Sequence, residues 1–211
     1  MTTDTLIQKV VEFTTPTNCL LCSSEPKLLC DDCFERALPF SPSGDIMAAT
    51  TYDDLGKELI RRFKFDGDQE AGRLCARYMA AMVSFQDYDC VVAATTTPAR
   101  RRQRGYDQSE LLARWTAKHL KIPYVPALIR IKNVHQVGAG RDQRLRQSAG
   151  LYTVVKTGKI QDKRILLIDD VATTGATMAS AVETLTSAGA QSVERLVFAL
   201  DELGSKNKVL H

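Results

Sequence analysis

The sequence has no apolar run long enough to cross a bilayer. Its longest, Cys90-Val91-Val92-Ala93-Ala94 and Ile165-Leu166-Leu167-Ile168, are strand-sized, where a spanning helix needs about 20 residues. Asp4, Lys9 and Glu12 interrupt the first 18 residues, so no secretory leader is expected. A cytoplasmic protein without membrane insertion follows as the expectation. Cysteine is scarce: six in 211 residues are too few for a disulfide-stapled miniature fold. An excess of one charge is also missing, since the net charge is +3 and names no partner by itself. No internal repeat or low-complexity tract is present. What remains, 44% hydrophobic and 25% charged residues, is an ordinary globular mix. The length allows one domain with a small module attached.

The mild net charge hides an asymmetry. Residues 96–150 hold 12 Lys or Arg against 3 Asp or Glu. Two clusters dominate: Arg100, Arg101, Arg102 and Arg104, then Arg141, Arg144 and Arg146. Such a block binds phosphates, on a metabolite or along a nucleic acid; the plainer reading is a solvated basic loop. Aromatic platforms usually accompany single-strand binding, and Tyr106 and Tyr124 are the only tyrosines in that stretch before residue 150.

Organisation changes along the chain. Residues 1–18 form an N-terminal segment without strong periodicity, 19–39 a short cysteine-bearing module, and 45–205 a larger domain beyond a Ser/Pro/Gly linker at 40–44. In the larger domain, strands are expected at 45–51, 90–94, 124–131, 151–155, 164–169 and 192–200. Helices are expected at 53–63, 68–83, 107–120 and 176–188, the third capped by Asp107 with Glu110 at the capping-box position. Strands alternating with helices predict an α/β fold with a largely parallel sheet.

Cys19-x-x-Cys22 and Cys30-x-x-Cys33 stand seven residues apart. Each pair presents two thiolates from one turn, and two turns close a tetrahedral site, the usual geometry of structural zinc. A module of about 20 residues has no core of its own, so the metal would supply its folding energy. Two disulfides or an iron–sulfur centre are the alternatives. Cys75 and Cys90 lie in apolar segments and read as small buried hydrophobes.

The most informative segment runs from Ile165 to Thr177: a buried strand, the acids Asp169 and Asp170, then Ala172-Thr173-Thr174-Gly175-Ala176-Thr177 opening a helix. Ligands of open α/β sheets bind at the carboxyl ends of strands. Amides at a helix start, with threonine hydroxyls beside them, suit a phosphate, and Gly175 permits a close backbone approach. Adjacent carboxylates suit a cis-diol. The plainer alternative is a threonine helix cap with two dipole-neutralising acids. The Gly-Lys-Ser/Thr ending of a Walker loop is absent.

This segment resembles the phosphoribosyl diphosphate (PRPP) motif of type I phosphoribosyltransferases. The resemblance implies that Asp169 and Asp170 hold the ribose hydroxyls and that 172–177 wrap the 5-phosphate, with Mg accompanying PRPP. The paired CxxC, the run Ile60-Arg61-Arg62-Phe63-Lys64-Phe65-Asp66-Gly67, then Arg104-Gly105-Tyr106-Asp107-Gln108, Gln136 and the PRPP motif occur in one order. That order is similar to the competence-protein F (ComFC/GntX-like) family, over about residues 19–200. The resemblance implies a zinc module joined to a type I phosphoribosyltransferase domain. It also implies a role in natural transformation, where imported single-stranded DNA is handled with a DNA-translocase or helicase partner.

Some positions depart from the family pattern. Asp107 stands where the family usually has Asn, and Gln147 replaces another Asn. Residues 93–98, Ala-Ala-Thr-Thr-Thr-Pro, replace a proline-bearing loop expected to hold pyrophosphate. There Thr95 and Thr96 offer hydroxyls and amides to an anion. Arg104 is a candidate for stabilising the leaving pyrophosphate, with Arg141 and Arg144 on a loop that Gly138 and Gly140 free to close. His135 near that loop and His119 beside Trp115 read as structural or exposed. The acceptor is not legible. An orphan nucleotide-salvage transferase and a PRPP-sensing regulator are the competing functional readings.

Overall fold

A computed structural model of the chain describes residues 18–24, 27–37, 45–52, 54–131, 150–155 and 157–201. The chain divides into two compact units, 1–38 and 39–211.

In the first unit the two cysteine pairs flank a short hairpin of turns. The Leu20 amide donates to the Leu28 carbonyl at 3.1 Å. Helix α1 (Asp31–Arg36) follows, with Asp31 and Asp32 in its first turn, where negative charge offsets the helix dipole. Among the described residues, Leu28, Leu29 and three of the four cysteines are buried.

The second unit is built on β1 (Ile46–Thr51), β2 (Cys90–Ala93), β5 (Arg164–Ala172) and β6 (Ser192–Leu200). Their order is β1-β6-β5-β2, and every neighbouring pair is parallel. A separate antiparallel pair joins β3 (Leu128–Arg130) to β4 (Tyr152–Val154). Ile165, Leu166, Leu167 and Ile168 of β5 are wholly buried, as a strand covered on both faces requires. Ile165 and Leu167 share a core with Met178, Ala181 and Leu185 of α6 (Ala176–Ser187). Alternation turns Leu166 and Ile168 to the opposite face.

Helix α2 (Asp54–Arg61) winds on without a break into a π-helical turn, Arg62–Asp66, ended by Gly67 at φ +71°. Helices α3 (Gln69–Ala81) and α5 (Gln108–Leu120) pack on each other. Both start on an aspartate cap: Asp68 accepts from the Glu70 and Ala71 amides, and Asp107 from the Glu110 amide. Phe63, from the π turn, lies between Tyr106 and Trp115, with ring centroids 5.7 and 5.8 Å away. Gly72 makes room for them. A Cβ there would stand 2.6 Å from the Phe63 ring and 2.7 Å from Trp115. Gly72→Ala is therefore expected to cost about 1–3 kcal/mol through overpacking. Because Trp115 is the sole tryptophan, its emission in a denaturant titration reports the change directly, and an unshifted midpoint would refute this packing.

One helix was not expected and one strand runs longer than expected. The basic cluster at 100–104 forms a helix, α4 (Pro98–Arg104), with Arg100, Arg101 and Arg102 exposed on it. Thr97 caps it by accepting from the Arg100 amide, Pro98 occupies its first turn, and Gly105 closes it at φ +81°. It buries no residue, so it carries no apolar period to reveal it, although its end signals are present. Strand β5 runs to Ala172, three residues past the expected end, because β6 continues beside it and pairs Asp169 with Val197 and Ala172 with Leu200. Among the described residues no helix is long and apolar enough to cross a membrane.

Candidate functional site

The carboxyl edge of the sheet collects the chemistry-bearing residues of the second unit. Asp169 and Asp170 lie within β5, near its end, and successive strand residues point to opposite sides. They accordingly find different partners. Asp169 Oδ1 accepts from Ser109 Oγ at 2.7 Å and from the Asp170 amide at 2.9 Å. Asp170 Oδ2 is paired with Lys64 Nζ at 2.8 Å. Among the described residues, these bonds leave each carboxylate its other oxygen. Burial, reinforced by the charge of Asp170, raises the Asp169 carboxyl to about 7. Lys64 is brought there by the π turn that extends α2.

Immediately beyond, Thr173 and Thr174 are exposed, while Gly175, Ala176 and Thr177 are half-buried. The N-cap of α6 is Gly175 at φ +70°, and no side chain caps the helix. The threonines therefore do not consume its first amides, which stay available to an external acceptor. The positive φ is what favours glycine here; a Cβ would also press on Ile46 Cδ1 at 3.1 Å.

The neighbouring loop after β2 is held from several sides. Thr95 Oγ1 donates to the Leu128 carbonyl at 3.2 Å, the Thr96 amide donates to Asp107 Oδ2 at 2.7 Å, and Tyr152 donates to the Thr95 carbonyl at 3.3 Å. The Thr95 hydroxyl and Thr96 amide, expected to face an anion, are thus engaged within the protein. Asp107 is buried, which raises its carboxyl above the usual range despite these amide bonds. It caps α5 and ties the loop at once, so an aspartate serves both purposes here.

Arg104 is half-buried, bonded to Gln108 Oε1 at 3.0 Å and placed over the Phe65 ring at 5.7 Å. Arg100, Arg101 and Arg102 project from α4 and are exposed; Arg101 reaches Glu110 at 3.4 Å. His135, Gln136, Gly138, Gly140, Arg141, Arg144, Arg146 and Gln147 lie outside the described residues. Lys64 and Ser109 are site residues that sequence reasoning had not assigned. Lys64 stood in the quoted run 60–67 without a role. Ser109 carried no signal, since a serine in the first turn of a helix looks like part of a cap.

In the first unit, the sulfur atoms of Cys19, Cys22, Cys30 and Cys33 all lie within 4.8 Å of one another. Four thiolates about 2.3 Å from one tetrahedral ion would sit about 3.8 Å apart, so the cluster could hold a metal ion. The cluster is unevenly poised. Burial would raise Cys19, but amide bonds from Cys30, Cys22 and Leu21 outweigh it and lower the thiol to about 6. Burial and the three neighbouring thiols push Cys33 up to about 12.

Comparison with known proteins agrees with this architecture. Residues 107–209 match the family model "Phosphoribosyl transferase domain". "Competence protein ComFC" of Streptococcus pneumoniae is 28% identical over 192 residues, 90% of this chain and 82% of that protein. "Competence protein ComFC" of Bacillus subtilis is 33% identical over 142 residues, 66% of this chain and 57% of that protein. "Competence protein F" of Haemophilus influenzae is 27% identical over 187 residues, 83% of this chain and 81% of that protein. With a parallel sheet that carries an acid pair near an uncapped helix start, and a four-cysteine cluster earlier in the chain, the chain is similar to the ComFC-like phosphoribosyltransferases over most of its length.

Proposed function

We propose that the chain binds Mg–PRPP at the carboxyl end of β5 and serves DNA uptake as a phosphoribosyltransferase-family protein. One observation carries the PRPP reading: an acid pair stands five residues ahead of a helix that has no side-chain cap. The free oxygens of Asp169 and Asp170 accept from the ribose hydroxyls. The amides of 172–177, with Thr173, Thr174 and Thr177, receive the 5-phosphate. Lys64 balances the charge of Asp170 until the diol arrives. Mg bound to PRPP neutralises the leaving pyrophosphate. In transfer, the acceptor's lone pair forms the new bond to C1 while the C1–O bond to pyrophosphate breaks and that oxygen keeps its electron pair.

Calorimetric titration of Mg–PRPP into the folded protein tests the pocket. Saturable one-site binding is expected, and a flat titration would overturn it.

The DNA role rests on relatives that are named competence proteins and, in one case, a DNA utilization protein, and on the exposed arginines of α4. Their guanidinium groups stand clear of the core and suit a phosphate backbone. Arg101→Glu/Arg102→Glu is expected to weaken single-stranded DNA binding at least tenfold at 50 mM salt, with a shallower salt slope. Unchanged affinity would move the DNA surface elsewhere. The cysteine cluster holds zinc in a structural role, since four protein ligands leave no position open for substrate.

A further inference from the structure

A cavity of about 410 Å³ lies beside the acid pair. Tyr52 forms one wall; it follows β1 and bonds to the Leu200 carbonyl at the same sheet edge. Phe65 and Arg104 form another, and Lys64 lines the cavity while holding Asp170. The cavity thus adjoins the diol site without being part of it.

Its charges are not all spoken for. Glu58 is taken up by Arg61 and Arg62, and Arg61 also reaches Asp66. Lys57 and Arg104, by contrast, have no carboxylate partner among the described residues. Each instead rests on an aromatic face: Lys57 over Tyr52 at 5.5 Å and Arg104 over Phe65 at 5.7 Å. Phe65 is 71% exposed, a phenyl ring left open in a charged recess. Stacked cations with one open ring match a ligand that has both a π-face and a negative charge. The volume is that of a small-molecule site, whereas a nucleic-acid strand occupies a groove several nucleotides long.

We infer that this cavity binds a planar aromatic acid, with its ring on Phe65 and its acid group between Lys57 and Arg104, as the second reactant. The inference rests on the PRPP site proposed above, and it gives Arg104 the acceptor rather than the leaving pyrophosphate. The probes are nicotinate against nicotinamide and anthranilate against 2-aminobenzamide, titrated with and without Mg–PRPP. At least one acid should bind, ten times or more tighter than its amide. Lys57→Met and Phe65→Ala, both at exposed positions, should each weaken that binding at least tenfold with unchanged melting.

Absence of binding by both acids, equal binding of acid and amide, or unaffected variants would each overturn the inference. Oligothymidylate binding lost in both variants, with neither acid bound, would make the cavity a strand site and overturn it as well. The Mg–PRPP titration keeps the two proposals apart. PRPP binding without acid binding fails the cavity alone. Acid binding without PRPP binding fails the diol site and leaves an aromatic-acid site that is not a second-reactant site.

Discussion

Asp170→Asn should lower Mg–PRPP affinity at least a hundredfold while leaving the melting temperature within a few degrees of wild type. A hundredfold is about 2.7 kcal/mol, which is what losing one or two charge-assisted bonds from a hydroxyl pair amounts to. The fold should tolerate the change, because asparagine has the same shape and keeps an amide oxygen for the Lys64 ammonium that now pairs with Asp170. Undiminished affinity, read by calorimetry, would remove the diol assignment.

Asp169 adds a pH signature to the same experiment. Burial first, and then the neighbouring Asp170 charge, lifts its carboxyl to about 7. Only the ionised form keeps the free oxygen of Asp169 as a charged acceptor for a ribose hydroxyl. With a midpoint near 7, the ionised fraction rises about tenfold between pH 6 and pH 8, and affinity should rise with it. PRPP has ionisations of its own, so the comparison is with Asp169→Asn, whose slope should be flatter. Stability runs the other way. The folded carboxyl titrates above its unfolded value, so the folded state holds the extra proton between about pH 4 and pH 7. Asp169 therefore costs stability progressively as pH rises through that window, and the cost levels off above 7. Asp169→Asn should consequently be the more stable protein at pH 8. A less stable variant would mean that the Ser109 and Asp170 amide bonds outweigh the burial of charge.

The second large effect concerns the cysteine unit. Cys30→Ser should lose stoichiometric zinc and leave residues 19–33 unprotected against hydrogen exchange. The reason is arithmetic. Among its described residues the first unit buries few apolar side chains, Leu28 and Leu29 being the non-cysteine ones. A core of that size does not offset the entropy of ordering the turns. Metal binding to a four-thiolate site supplies on the order of 10 kcal/mol, which becomes the folding free energy. A strong chelator should reproduce the variant's behaviour in the wild type. Full metal content in Cys30→Ser, measured by elemental analysis, would exclude the four-cysteine site.

Much of this was readable along the chain because its signals are local. Strand β6 lies where it was expected, at 192–200, since an apolar run between turn residues admits few alternatives. Helix α5 begins after Asp107 because a capping aspartate acts within one turn. Helix α4 escaped notice for the complementary reason. A helix that buries nothing has no apolar period, and its identity rested on Thr97, Pro98 and Gly105 alone. The reach of β5 to Ala172 was equally hidden, because a strand's length depends on the neighbour that pairs with it.

The sequence alone determined the order of the strands and of the helices that carry an apolar face, the four cysteines at ligand spacing and the acid pair ahead of a Thr/Gly turn. Each of these is a property of residues within a few positions of one another. Only the tertiary structure decided what the acids touch. Lys64 lies 106 positions before Asp170 and Ser109 lies 60 before Asp169; the parallel sheet and the π turn after α2 bring them within 3 Å. The same folding sets Lys57, Phe65 and Arg104 around one cavity. Contacts of that kind depend on which elements pack together, and no spacing along the chain records that.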